Sequence, residues 1–243
     1  MQTNDKKKSY FTKTEIVLYL FSVIAIVVFY CIFDRENLLR LFASIVGVSA
    51  LIINAKGNPL GQLLMVIFSI MYGIISYNFA YYGEMITYLG MSAPIALVAM
   101  IFWLKNPYKG NRSQVRINTI HKKEIILIII ITLIVTVGFY FVLKALNTAN
   151  LLPSTLSVTT SFLAAYLTFR RSEYYALAYA LNDIVLIILW IMATIEYIGY
   201  ISVVVCFVIF LINDLYGYFN WLKMKKKQAQ NSCEEIIEQD KKD

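Results

Sequence analysis

Two identical dipeptides, Asn182-Asp183 and Asn213-Asp214, offer the residue types best suited to bind a polar ligand. Each lies about seven to nine residues, or about 10–14 Å along a helix, inside a long apolar run. An isolated carboxylate at such a depth in a bilayer costs about 2.5–3.5 kcal/mol, so both pairs are expected to face a bundle interior or a wet cavity. There they could bind the amide and hydroxyl groups of a ligand, or they could only hydrogen-bond across helices and hold the bundle together.

Aromatic side chains at a similar depth are predicted to complete this pocket. Trp190 follows Asp183 by seven residues, so it lies about two turns further along the same helix face. A ring in that place can stack on a flat heterocycle or hold a cation on its face, with an interfacial position as the alternative. The hydroxyl groups between Ser157 and Ser161 are interpreted as structural, because such groups bond their own helix backbone. The other predicted substrate-binding residues are Gln62, Tyr72, Tyr175, Tyr179 and Tyr216.

No catalytic or metal-binding pattern accompanies these residues. The single histidine, His121, lies in a basic stretch without cysteine or acidic neighbours at metal-ligand spacing. The three cysteines form no C-x-x-C pair, no G-x-x-x-x-G-K-[ST] motif occurs, and no set of nucleophile and base is apparent. The 22 basic residues are not gathered on one soluble face, which argues against a nucleic-acid partner. We therefore predict a protein without metal or cofactor that moves a small molecule across a bilayer rather than transforming it.

The elements that position these residues are predicted to be membrane-spanning helices. Hydrophobic residues make up 59% of the 243 residues and charged residues 15%, which is unlike the composition of a soluble domain. Crossing a hydrocarbon core of about 30 Å takes about 20 apolar residues. We therefore predict an all-α integral membrane protein with about eight transmembrane helices. The predicted spans are about 15-33, 37-55, 59-78, 84-104, 124-145, 151-168, 174-194 and 198-221.

The basic residues predict the orientation of these helices. With the amino terminus inside, 19 of the 22 lysines and arginines fall in cytoplasmic segments, and only Arg35, Arg40 and Lys144 fall outside. Lysine and arginine are enriched in cytoplasmic loops of membrane proteins. We therefore expect a multi-pass protein of the cell membrane with both termini in the cytoplasm.

The spans also indicate an internal repeat. Trp103-Leu104-Lys105 closes the fourth span, and Trp221-Leu222-Lys223 closes the eighth. Each motif ends a set of three helices, and because a single helix separates the sets, both run in the same direction, as in SWEET-type transporters. The predicted fold is a SWEET-like 3+1+3 parallel repeat plus one extra amino-terminal helix.

Five segments follow from this organisation. They are a cytoplasmic amino terminus with the extra first helix at 1-36, a first three-helix repeat at 37-104, a basic cytoplasmic loop and linker helix at 105-145, a second three-helix repeat at 146-222, and a polar cytoplasmic tail at 223-243. Because the tail is polar and poor in aromatic residues, it is predicted to be a solvated or disordered end, with a weak contact of its lysines with lipid headgroups as the alternative.

Several short motifs together resemble the PnuC family of vitamin transporters. They are the Lys56-Gly57 turn, the run Tyr82-Gly83-Glu84-Met85, the Asn182-Asp183 region, and the run from Asn213 to Trp221. The similarity covers about residues 37-224, and the first span is an extra helix found in some members. The resemblance implies a homotrimer that carries out facilitated diffusion of nicotinamide riboside, an NAD precursor, into the cytoplasm, where phosphorylation traps the substrate.

One position departs from the family pattern. Members that carry nicotinamide riboside commonly have a W-x-x-W pair early in the penultimate span. The corresponding residues here are Tyr175 and Ala178, or Ala176 and Tyr179. One stacking wall is lost in either register, so thiamine or a deoxynucleoside is an alternative ligand. A membrane-embedded enzyme or assembly protein, in which the Asn-Asp pairs do chemistry or hold partners, is the rival from another class.

Overall fold

The computed structural model describes residues 10–35 and 37–240, so the predicted cytoplasmic residues 1–9 and 241–243 lie outside its described part. The described chain is almost entirely helical. Its helices are α1 (Lys13–Phe33), α2 (Leu38–Ala55), α3 (Leu60–Asn78), α4 (Tyr82–Ile86), α5 (Ala93–Lys105), α6 (Lys122–Ala145), α7 (Leu151–Phe169), α8 (Tyr175–Glu196) and α9 (Ile201–Asp240). A π-helical turn (Thr87–Ser92) joins α4 to α5, a 3-10 turn (Ile198–Tyr200) precedes α9, and β1 (Pro107–Tyr108) and β2 (Asn111–Val115) form an antiparallel hairpin.

The predicted all-α membrane fold is confirmed. Among the described residues, seven helical segments are long and apolar enough to cross a membrane, with α4, the π-helical turn and α5 counted as one. Helix α7 has a sufficient length of 19 residues, but seven of these are serine or threonine, which makes it less apolar. Apart from the carboxyl end of α9 and its start, the helix ends lie within two residues of the predicted spans.

The spanning helices form two triplets around a common core. The first triplet consists of α2, α3 and the α4–α5 segment, and the second consists of α7, α8 and α9. Within each triplet consecutive helices pack together, and the triplets meet where α2 contacts α9 and α5 contacts α7. The first helix of each triplet thus packs on the last helix of the other, as expected for two parallel repeats. Helix α6 packs on α7, and α1 packs on α2 and α9, outside this core.

The two repeat-closing tryptophans make equivalent contacts. Trp103 Nε1 donates a hydrogen bond to the carbonyl oxygen of Thr168 at 3.1 Å, and Trp221 Nε1 donates to that of Asn54 at 2.9 Å. Each acceptor is the next-to-last residue of the first helix in the opposite triplet. The Trp-Leu-Lys motifs therefore mark structurally equivalent positions.

The tail is helical rather than disordered over residues 223–240, while most of its described side chains are exposed, as in a solvated segment. Helix α9 continues through these residues for a total of 40 residues, a length of about 60 Å, or about twice the hydrocarbon core. Gln228 accepts a hydrogen bond from the Ile117 N–H and donates one to the Val115 carbonyl, each at 3.0 Å. Lysine, glutamate and glutamine are good helix formers, and the hairpin supplies contacts that composition does not reveal.

Candidate functional site

Asp183 of α8 and Asp214 of α9 form the centre of the candidate site. Their carboxyl groups interact across the contact between the two helices, and each residue is only 4% exposed. The Oδ2 atom of Asp183 has no hydrogen-bond partner among the described residues. Two neighbouring carboxylates repel each other when both are ionised, so the pair favours a ligand that brings positive charge or a hydrogen-bond donor.

Asn182 connects this centre to α7. Its Oδ1 atom accepts hydrogen bonds from Thr160 Oγ1 at 2.8 Å and from Ser161 Oγ at 2.9 Å. Thr160 also donates to backbone carbonyl groups of its own helix, as the sequence predicted. The two hydroxyl groups fix the orientation of the Asn182 amide beside Asp183, so their role is not restricted to their own helix backbone.

An outer aromatic layer lies towards the carboxyl end of α8. Trp190 is fully buried there, and its Nε1 atom donates a hydrogen bond to the hydroxyl of Tyr72. Its indole packs edge-on against Phe79 and Tyr81, with ring centroids 5.1 and 5.4 Å away. Trp190 therefore does not lie in an interfacial belt facing lipid.

An inner aromatic layer lies towards the amino end of α8. The ring of Tyr175 lies 4.7 Å from that of Trp221 and 6.3 Å from that of Tyr179. Trp103 lies 5.3 Å from Trp221, so this layer includes both repeat-closing tryptophans. Along α8 the order is Tyr175, Tyr179, Asp183 and Trp190, and the carboxyl pair lies between the two aromatic layers.

Asn213 and Tyr216 face α1 instead of the carboxyl pair. Asn213 Nδ2 donates to Ser22 Oγ at 3.0 Å, and the Tyr216 hydroxyl donates to Glu15 at 3.1 Å. Successive side chains of a helix point about 100° apart, so Asn213 and Asp214 face different neighbours. Depth along the chain is the same for both residues and does not distinguish these two directions.

Gln62 also lies apart from the carboxyl pair. Its Nε2 atom donates to Asn54 Oδ1 at 2.9 Å, and both side chains are buried. The carbonyl oxygen of Asn54 accepts the bond from Trp221 described above. Gln62 therefore links α3 to α2 beside the inner aromatic layer.

Glu84 of the Tyr82-Gly83-Glu84-Met85 run is a buried polar residue outside the predicted set of substrate-binding residues. It is fully buried and lies beside Ser157 of α7, yet neither its carboxylate nor that hydroxyl has a partner with ordinary hydrogen-bond geometry among the described residues. The π-helical turn that follows brings the Tyr88 ring within 4.5 Å of Tyr72. Pro94 could have signalled this turn, because proline cannot donate the backbone hydrogen bond of a regular helix.

Comparisons with known proteins agree with this architecture. Residues 37–223 match the sequence model of the family described as "Nicotinamide mononucleotide transporter". The chain is 28% identical to the nicotinamide riboside transporter PnuC of Neisseria mucosa over 218 residues, which are 87% of this chain and 81% of that protein. It is 24% identical to the PnuC of Haemophilus influenzae over 194 residues, 79% of this chain and 82% of that protein.

A solved structure has a similar fold. The crystal structure of the vitamin B3 transporter PnuC matches with a TM-score of 0.79 at 24% sequence identity, over 90% of this chain and 94% of that one. The residues that match the family model begin at the start of α2 and end just after Trp221, so they contain both triplets and α6. This protein therefore belongs to the nicotinamide mononucleotide transporter family, the PnuC family that its motifs resemble.

Proposed function

We propose that this protein carries nicotinamide riboside across the cell membrane by facilitated diffusion. The observation that carries the proposal is the buried carboxyl pair of Asp183 and Asp214 between two aromatic layers. The pyridinium ring of nicotinamide riboside is a flat cation, so carboxylates complement its charge and aromatic rings complement its faces. Its carboxamide and ribose hydroxyl groups need hydrogen-bond partners, which the Asn182 amide would provide.

Alternate opening of the two aromatic layers would let the ligand pass. The triplets meet where α2 contacts α9 and where α5 contacts α7. Rocking of one triplet against the other would open one side while closing the other, as in other transporters built from repeats. The inner layer contains Trp103 from the first triplet and Trp221 from the second, so rocking would part these two rings.

We also propose a membrane, an orientation and a subunit arrangement for this protein. The lysine and arginine distribution supports a position in the cell membrane with both termini in the cytoplasm. Helix α6 exposes apolar side chains such as Ile126, Ile129, Leu133 and Val137, which suit contact with lipid or with the other subunits of a homotrimer. A separate cytoplasmic enzyme would phosphorylate the ligand and trap it, and the protein itself would perform no chemistry.

A related flat ligand is the second candidate. The W-x-x-W positions hold Tyr175 and Ala178, or Ala176 and Tyr179, so the stacking surface differs from that of nicotinamide riboside carriers. Thiamine also contains a cationic aromatic ring, whereas deoxynucleosides are neutral. The carboxyl pair therefore favours thiamine over a deoxynucleoside as the alternative.

Uptake into proteoliposomes tests the proposal. We expect labelled nicotinamide riboside to equilibrate without ATP or an ion gradient, and excess unlabelled thiamine or deoxynucleoside to reveal any wider specificity. A charge pair at 4 Å interacts by about 4 kcal/mol at an effective dielectric constant of about 20. Asp214→Asn should therefore weaken the affinity at least about tenfold, the factor that about 1.4 kcal/mol gives. Asn213→Leu is the matched control, because this neighbouring side chain faces α1.

Three results would contradict the proposal in different ways. Ligand hydrolysis, or the absence of flux with every compound, would favour a membrane-embedded enzyme or an assembly protein. Flux that follows a pH gradient and disappears in Asp183→Asn or Asp214→Asn would indicate proton coupling in place of facilitated diffusion. Transport of thiamine alone would keep the site and change the substrate.

A further inference from the structure

A polar cavity with a basic lining lies between the hairpin and α9. It has a volume of about 350 Å³ and is lined by Lys56 after α2, by Lys223 and Lys227 of α9, and by Asn111 and Ser113 of β2, among others. Its lining includes no acidic side chain from the described residues. We call this cavity the basic pocket.

Lys223 and Lys227 provide the unbalanced positive charge of the basic pocket. They are four residues apart, so both lie on one face of α9. Neither forms an ion pair with an acidic side chain in the part of the chain that the structure describes, whereas Lys56 is paired with Glu15 at 3.0 Å. Two ammonium groups on one side of a polar cavity attract an anion that carries more than one negative charge.

Hydrogen bonds hold the walls of the basic pocket in place. The Val115 N–H donates to the Gly57 carbonyl at 2.9 Å, which attaches the hairpin to the turn after α2. Gln228 attaches the same hairpin to α9, and Asn220 of α9 donates to the Ala55 carbonyl at 2.7 Å. Three segments distant in sequence therefore build the cavity, and little of its structure has to be ordered when a ligand binds.

We propose that the basic pocket binds a phosphate-bearing anion. Lysine binds phosphate as a point charge, and hydroxyl and amide groups of the lining can add hydrogen bonds. Small-molecule pockets have volumes of about 300–1,000 Å³, so the basic pocket can hold a phosphate group together with a small organic part. Phosphate esters in solution and phospholipid headgroups share this chemistry.

The basic pocket is separate from the candidate transport site. Lys223 follows Asp214 by nine residues, about 14 Å along α9. Anion binding can thus be tested without transport and does not depend on the proposed function.

The test uses the full chain in phosphatidylcholine nanodiscs, with inorganic pyrophosphate as the soluble probe in a calorimetric titration. The pocket variant is Lys223→Gln with Lys227→Gln. The control variant, Arg112→Gln with Lys226→Gln, removes the same charge from exposed side chains that do not line the cavity. In a second arm, native mass spectrometry measures the phosphatidylglycerol that stays on the protein after release from nanodiscs containing this lipid.

We expect saturable pyrophosphate binding that the pocket variant weakens at least about tenfold and the control variant by less than about twofold. If pyrophosphate does not bind but phosphatidylglycerol stays on the wild type and is lost from the pocket variant, the phosphate belongs to a lipid headgroup. Binding of neither probe, or equal weakening in both variants, would overturn the proposal. All four substituted side chains are exposed, so the thermal unfolding midpoint of both variants should equal that of the wild type. An unchanged midpoint confirms that the variants fold.

Discussion

The hydrogen bond between Asn213 and Ser22 joins α9 to the extra helix α1, and we expect its loss to reduce stability rather than transport. Both residues are 1% exposed, and the two side-chain atoms lie 3.0 Å apart. Interhelical hydrogen bonds inside membranes contribute about 0.6 kcal/mol on average and up to about 1.7 kcal/mol. Asn213→Leu also removes a buried Oδ1 atom without a partner among the described residues, which offsets part of the loss. The free energy of unfolding should therefore fall by about 0.5–1.5 kcal/mol.

A double-mutant cycle isolates this hydrogen bond. Asn213→Leu, Ser22→Ala and the double variant are compared with the wild type by reversible unfolding in mixed micelles. If the two side chains interact, the second substitution costs less after the first, by about 0.6–1.7 kcal/mol. Nicotinamide riboside uptake, measured on the same preparations, should stay within about twofold of the wild type in all three variants.

A loss of uptake of about tenfold or more in Asn213→Leu, with the unfolding energy unchanged, would refute this reasoning. Asn213 would then contact the ligand, and the contact with Ser22 would be incidental. An unaffected Ser22→Ala variant would support the same conclusion, because the hydrogen bond needs both side chains.

Two further predictions concern the outer aromatic layer and the hairpin. Tyr72→Phe keeps the ring but removes the hydroxyl that accepts the Trp190 N–H, so the unfolding free energy should fall by about 1 kcal/mol; an unchanged value would mean that this bond contributes nothing. Gln228→Ala removes both bonds that hold α9 to Val115 and Ile117, so limited proteolysis within residues 107–116 should become faster; an unchanged rate would show that other contacts hold the hairpin.

The spans and the repeat could be predicted from the sequence because hydrophobic length and internal similarity are local properties. Each apolar run had to become a helix of about membrane thickness, and the two Trp-Leu-Lys motifs came to occupy equivalent places. The burial of Asp183 and Asp214 was predictable for the same reason, since depth follows from counting along the chain.

The directions of side chains and the helical structure of the tail could not be predicted in this way. The depth of Asn213 predicts a position in the pocket, but its partner Ser22 lies on α1, and only the packing of α1 on α9 reveals that contact. The tail has the composition of a solvated segment, yet Gln228 pairs with a hairpin more than 100 residues earlier. Long-range partners of this kind leave no local pattern.

The polar residues of the candidate site are less symmetric than the two helix triplets that carry them. The turns after α2 and α7 are equivalent, with Gly57 and Arg171 both in the left-handed region at φ angles of 70° and 56°. Ser69 lies as far along the chain from Gly57 as Asp183 does from Arg171, so it is the first-triplet counterpart of Asp183. Its hydroxyl is buried and carries no charge. Both carboxylates therefore belong to the second triplet. In the proposed transport cycle, movement of the first triplet would cover or uncover the ligand without separating the two carboxyl groups.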